Sequence, residues 1–93
     1  MERVIRKINK MNEEAVKEMI SQLFPLGEET YWGIFYLDHE VALERMDSPD
    51  ELLQKFMEFK SFLQECRIFN EKRELYLWKF RGGYEYRVRE DEV

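Results

Sequence analysis

The stretch ELYLWKFRGGYEYRVR, residues 74–89, decides the fold. Two runs rich in aromatic and branched residues alternate with charged ones and are separated by Gly82-Gly83, a pair that allows the positive φ of a tight hairpin. The strands are predicted at 74–81 and 84–89. The period of two places Tyr76, Trp78 and Phe80 on one face, with Leu75, Leu77, Lys79 and Arg81 on the other. In the partner strand Tyr84, Tyr86 and Val88 alternate with Glu85, Arg87 and Arg89. If the aromatic rows pair across the hairpin they form one continuous aromatic face, and the other face gathers Lys79, Arg81, Arg87 and Arg89. Upstream, Cys66 to Phe69 reads as a third strand, joined to the hairpin by the polar turn Asn70-Glu71-Lys72-Arg73.

Ser48-Pro49-Asp50-Glu51 marks a helix start: a capping hydroxyl, a proline at the first helical position and two acids in the first turn. The helix that follows carries the apolar stripe Leu52, Leu53, Phe56, Met57, Phe59 and Leu63, with Lys55 and Lys60 outside it. Before it, Thr30 to Leu37 is apolar on both faces, which predicts a strand buried from two sides or covered by another molecule. Asp38 and His39 turn that strand into a second one, Glu40 to Met46. Earlier still, Asn12 caps a helix whose Ala15, Val16, Met19, Ile20, Leu23 and Phe24 share helical spacing, and Pro25 and Gly27 end it. Val4, Ile5 and Ile8 read as a short opening strand or a lead-in arm. The order (β)αββαβββ predicts a single α+β domain over residues 1–93, with two helices packed on one face of a mostly antiparallel sheet of five or six strands. A ferredoxin-like core, βαββαβ with an added hairpin, is the alternative.

The chain has 93 residues, 44% hydrophobic and 15% aromatic, enough apolar material to close one small core and too little length for two catalytic domains. Twenty acids against 15 bases give a net charge of −5, which argues against a surface that grips nucleic acid all over. The distribution is uneven: residues 12–63 sum to −8, whereas residues 1–11 and 64–89 each sum to +3. One cysteine, Cys66, forms no intrachain disulfide, so the cytoplasm is the expected compartment. No apolar run approaches the ~20 residues that span a bilayer, and MERVIRKINK lacks the apolar segment of a secretory signal, so no membrane role is expected. Glu, Lys and Arg far outnumber Asn and Gln, the composition of thermophile proteins.

Catalytic material is scarce. One His and one Cys build neither a histidine pair nor a Cys/His metal cluster, so no metal, cofactor or catalytic set is expected. His39 between Asp38 and Glu40 reads as solvated turn surface, and Cys66 as a small buried hydrophobe. The hairpin holds more interest. Bases stack on aromatics while arginines hold phosphates, and RRM sheets combine the two on RNA. The competing reading makes the aromatics the core under the helices and the arginines a solvated outer face.

The run Leu63-Gln64-Glu65-Cys66-Arg67-Ile68-Phe69, then Glu74-Leu75-Tyr76-Leu77-Trp78, and then Tyr86-Arg87-Val88-Arg89 resembles the LxExRxF…ELxLW…(F/Y)RxR pattern of a small accessory protein family of type III-D CRISPR loci. WGIFYLDHEVALERM is similar to the strand pair upstream of that pattern, and the resemblance covers residues 31–90. It implies a non-enzymatic protein of antiviral defence that contacts subunits of a type III effector complex and its guide RNA. Guide pairing would read sequence and the protein would read backbone and shape. Arg67, Trp78, Arg87 and Arg89 are the motif positions for such contact, and Lys79 and Arg81 join them from the hairpin. From another class comes a homodimeric interaction module that uses Tyr31 to Leu37 as its interface and has no nucleic-acid role. A metal-independent nuclease built on His39 is the weakest of the three readings.

Overall fold

Side-chain caps open both helices. Asn12 Oδ1 accepts from the Ala15 N–H at 2.9 Å and starts α1 (Glu13–Leu23). Ser48 Oγ accepts from the Glu51 N–H at 3.2 Å, Pro49 takes the first position of α2 (Pro49–Phe59), and the Glu51 carboxylate accepts in return from the Asp47 N–H at 2.9 Å. Caps of this kind are worth about 1 kcal/mol each and fix where the chain enters the helix. A computed structural model describes residues 5–24 and 29–90. Val4, the helix stop Pro25 and Gly27, and the acids Asp91 and Glu92 lie outside the described residues.

Six strands form one sheet: β1 (Arg6–Ile8), β2 (Tyr31–Leu37), β3 (Val41–Met46), β4 (Leu63–Phe69), β5 (Arg73–Phe80) and β6 (Gly83–Glu90). Their spatial order is β1-β6-β5-β4-β2-β3, with every neighbouring pair antiparallel. The class and the element order are those the sequence predicts. The ferredoxin-like alternative does not form, because it needs the first strand in the middle of the sheet, and β1 instead closes against β6 at the edge. Leu63 is also not part of the helical stripe. The helix stops at Phe59, whose carbonyl accepts from the Phe62 N–H at 2.9 Å, and Leu63 opens β4 as a fully buried strand residue.

Both helices lie on one face of the sheet. Val16, Met19, Ile20 and Leu23 of α1 and Leu52 and Phe56 of α2 are buried against Tyr31, Phe35, Ile68, Leu75 and Leu77. Three tyrosines on this face are buried with their hydroxyls satisfied: Tyr31 lies 3.0 Å from the Leu23 carbonyl oxygen, Tyr84 donates to the Leu63 carbonyl at 3.0 Å, and Tyr86 Oη accepts from Gln22 Nε2 at 3.2 Å. Large apolar rings thus fill the layer while each polar tip finds a partner.

The hairpin turn sits one residue earlier than Gly82-Gly83. Arg81 and Gly82, with φ of +50° and +81°, are its two central residues, as the mirror-image turns that suit strand twist require. Gly83 is the first residue of β6 and pairs with Phe80. A two-residue turn always sets even-numbered residues opposite odd-numbered ones, so Tyr86 faces Leu77 and Arg87 faces Tyr76. The aromatic rows therefore do not pair, and Lys79, Arg81, Arg87 and Arg89 do not gather on one face.

Two outcomes are expected from this packing. A Cβ at Gly83 would lie 2.6 Å from the Ile8 carbonyl oxygen, a backbone atom with little room to yield, so Gly83→Ala should prise β1 from β6. Urea denaturation should show a loss of about 1–3 kcal/mol, and an unchanged midpoint would refute the close approach. Burial raises Tyr31, Tyr84 and Tyr86 above the ordinary tyrosine value near 10. Their contribution to stability is therefore complete below about pH 10, where the unfolded phenols start to ionise, and is lost as pH rises toward the folded values. Denaturant midpoints should hold up to that pH and then fall, with tyrosinate absorbance appearing together with unfolding.

Candidate interaction face

Because both helices take the same side, the opposite face of the sheet has no covering layer among the described residues. Alternation decides what it presents. From β2 come Trp32, Ile34 and Tyr36; from β3, Val41, Leu43 and Arg45; from β4, Glu65, Arg67 and Phe69; from β5, Glu74, Tyr76, Trp78 and Phe80; from β6, Glu85, Arg87 and Arg89. The register sets these in rows across the strands. One row runs Arg87, Tyr76, Arg67, Ile34, Leu43; the next runs Arg89, Glu74, Phe69, Trp32, Arg45.

Tyr76 is the centre of the basic half. Its ring lies between two guanidinium groups, with Arg67 Cζ at 4.8 Å and Arg87 Cζ at 5.3 Å from the ring centroid, and it tilts 33° against Trp78 at 5.1 Å. The Tyr76 hydroxyl is 3.2 Å from Glu65 Oε2, and burial together with that carboxylate raises its pKa. Glu74 is the shared counter-ion, 3.4 Å from Arg67 and 3.3 Å from Arg89. Neither arginine is locked inside: their side chains are 47% and 40% exposed, and pairs this wet are worth little. Arg87 has no carboxylate partner among the described residues.

Beside this cluster a second set is built inward. Arg73, 11% exposed, pairs with Glu29 and lies 3.4 Å from Glu90, leaving its Nε buried without a hydrogen bond. Burial would raise Glu29, but the Tyr31 hydroxyl, Arg73 and Lys72 outweigh it and hold that carboxyl below the usual range. This set ties the loop before β2 to the start of β5, and it keeps the rim around Trp32, Phe69 and Asn70 in place.

The other half of the face is apolar and wet. Trp32 is 49% exposed and Leu43 73%, and Tyr36, Val41 and Phe80 are exposed as well. Thr30 to Leu37 is thus not buried from two sides: Tyr31 and Phe35 meet the helices, while Trp32, Ile34 and Tyr36 look out. Of the predicted contact residues, the fold brings Arg67, Trp78, Arg87 and Arg89 onto this face. It sends Lys79 to the other side of β5, opposite Tyr84, and leaves Arg81 in the turn, its guanidinium 5.0 Å from the Phe80 ring. Trp32, Leu43, Arg45 and Phe69 are members that strand-local reading missed; the doubly apolar pattern of residues 30–37 was their signal. Across β6 to β3 this face carries four arginines (45, 67, 87, 89) and three glutamates (65, 74, 85). The acids Glu13, Glu14, Glu18, Asp50 and Glu58 lie exposed on the two helices.

The other candidates stand apart. His39 is exposed in the β2–β3 turn, and Cys66 is fully buried, its thiol pushed far above the ordinary value by burial and by Glu65. Among the described residues no three His, Cys, Asp or Glu side chains converge as metal ligands, and no helix is long and apolar enough to cross a membrane.

Comparison with known proteins places this face in context. The sequence pattern of the family described as CRISPR-associated protein Csx19 matches residues 32–93, which takes in the whole bare face from Trp32 onward. No curated protein matches the chain.

Proposed function

Since the chain belongs to the CRISPR-associated protein Csx19 family, we propose that it serves CRISPR defence as a non-enzymatic accessory protein of a type III effector complex, docking on neighbouring subunits in the cytoplasm through the bare face of its sheet. The observation that carries this reading is the apolar half of that face. Trp32, Tyr36, Val41, Leu43 and Phe80 stand in water side by side on one flat surface. Removing a large apolar side chain from water is worth roughly 1.5–3 kcal/mol, and a subunit laid on the sheet would recover it. Aromatic residues ringed by arginines are also the composition of interface centres.

The basic half favours a second contact, to the guide RNA. Arg87 beside Tyr76 offers a guanidinium without a carboxylate partner among the described residues, and Arg89 and Arg67 share one glutamate between them. Phosphates can displace such a wet pair. The non-enzymatic reading rests on the scarcity of catalytic groups and on the family.

Affinity purification of the tagged chain from its native cells should bring down effector subunits. Trp32→Ala with Tyr36→Ala should cut that association tenfold or more at unchanged circular dichroism, and co-purification unaffected by the double variant would refute docking by this face. Binding of single-stranded guide RNA to the purified chain should weaken with salt. Arg87→Ala with Arg89→Ala should reduce the salt slope by about two, and a slope left unchanged would remove RNA from the proposal.

A further inference from the structure

β3 ends the sheet, and no strand among the described residues lies along its outer side. The hairpin fixes which of its backbone groups are free. The Leu37 N–H donates to the Glu40 carbonyl at 2.9 Å, so Leu37 and Glu40 are a hydrogen-bonded pair. Such pairs alternate along an antiparallel ladder. Ala42, Glu44 and Met46 therefore aim their N–H and C=O groups at β2, while Val41, Leu43 and Arg45 aim theirs away from the sheet. Those same three residues carry their side chains onto the bare face, where Val41 and Leu43 are exposed.

Proteins usually blunt an edge of this kind with brevity, lysine, proline or a bulge. The opposite edge obeys: β1 has three residues and presents Arg6 and Lys7. β3 has six residues, contains no proline, lysine or glycine, and pairs with β2 without a register shift.

We infer that β3 pairs antiparallel with β3 of a second copy of this chain, about a twofold axis through Leu43, so that two sheets join into one. The sequence VALERM is complementary to itself in that register. Leu43 meets its own twin, Val41 lies opposite Arg45, and Ala42 lies opposite Glu44, so no like charges face each other. All three outward residues find partners, and each pair exchanges two backbone bonds. The neighbouring symmetric registers fail on charge: an axis through Ala42 sets Glu40 against Glu44 twice, and an axis through Glu44 sets that carboxylate against itself. A shift by one residue fails on the backbone, since it would oppose outward groups to inward ones. Glu44 is already held by Lys55 Nζ at 3.2 Å, and Arg45 by Asp47 at 3.1 Å, so the pairing leaves no charge newly orphaned. A second copy rather than a foreign strand is the occupant because the complementarity is the strand's own.

This association is separate from docking on effector subunits and needs neither a CRISPR partner nor RNA. Sedimentation velocity of the full chain across a concentration series should show a dimer that dissociates on dilution. Leu43→Lys, which places two ammonium groups on the axis, should leave only monomer at every concentration, with the thermal unfolding of the parent chain. Register is read by oxidation. Leu43→Cys should form a disulfide-linked dimer, whereas Val41→Cys, whose twin lies about 13 Å along the strand, should not. A parent chain that stays monomeric throughout, a dimer that survives Leu43→Lys, or cross-linking through Val41→Cys in preference to Leu43→Cys would each overturn the inference.

Discussion

The structure depends on a mismatch of cover: two helices of 11 residues each set against a sheet of six strands, both on the same side. The crossovers enforce this. α1 carries the chain from β1 at one edge to β2 near the other, passing over β6, β5 and β4, and α2 links β3 to β4 across β2. The buried tyrosines and leucines of one face close a core under the helices. The other face has to manage with its own side chains, and it does so by stacking arginines on aromatic rings and sharing a glutamate between guanidiniums. That arrangement keeps the surface in water without making it polar, which is what a docking surface requires.

Charge follows the same division. The chain is acidic as a whole, yet its acids concentrate on the helices, and arginines outnumber glutamates on the bare sheet from β6 to β3. A molecule of net charge −5 can therefore turn a weakly basic, aromatic face toward a ribonucleoprotein while its back repels it. Orientation on approach would come from that asymmetry and affinity from the apolar half.

Much of the fold was legible because the signals were local. Asn12 and Ser48 cap the helices by the bonds their side chains predict, and each run of alternating residues became a strand. What escaped reading depends on contacts between distant segments. Alternation divides Tyr76 and Trp78 from Leu75 and Leu77, but it does not say which row meets the helices or how the rows of two strands align. The parity of the turn decides that, and Arg81 enters a positive φ that glycine would be expected to take, moving the turn by one residue. Leu63 satisfied the helical stripe and the strand equally well, and burial under the sheet decided for the strand. On the candidate face, Arg67, Trp78, Arg87 and Arg89 were identified correctly as neighbours by their motif. Trp32, Leu43 and Phe69 join them only because β2 pairs with β4 from across α2, a long-range choice that no window of residues contains.

Solvent footprinting of the chain, free and within assembled effector particles, tests the central claim most directly. The account predicts that Trp32, Tyr36 and Trp78 lose reactivity toward hydroxyl radicals on assembly while exposed residues of the two helices keep theirs. Protection confined to the helices, with the bare sheet as reactive in the particle as in free solution, would contradict it.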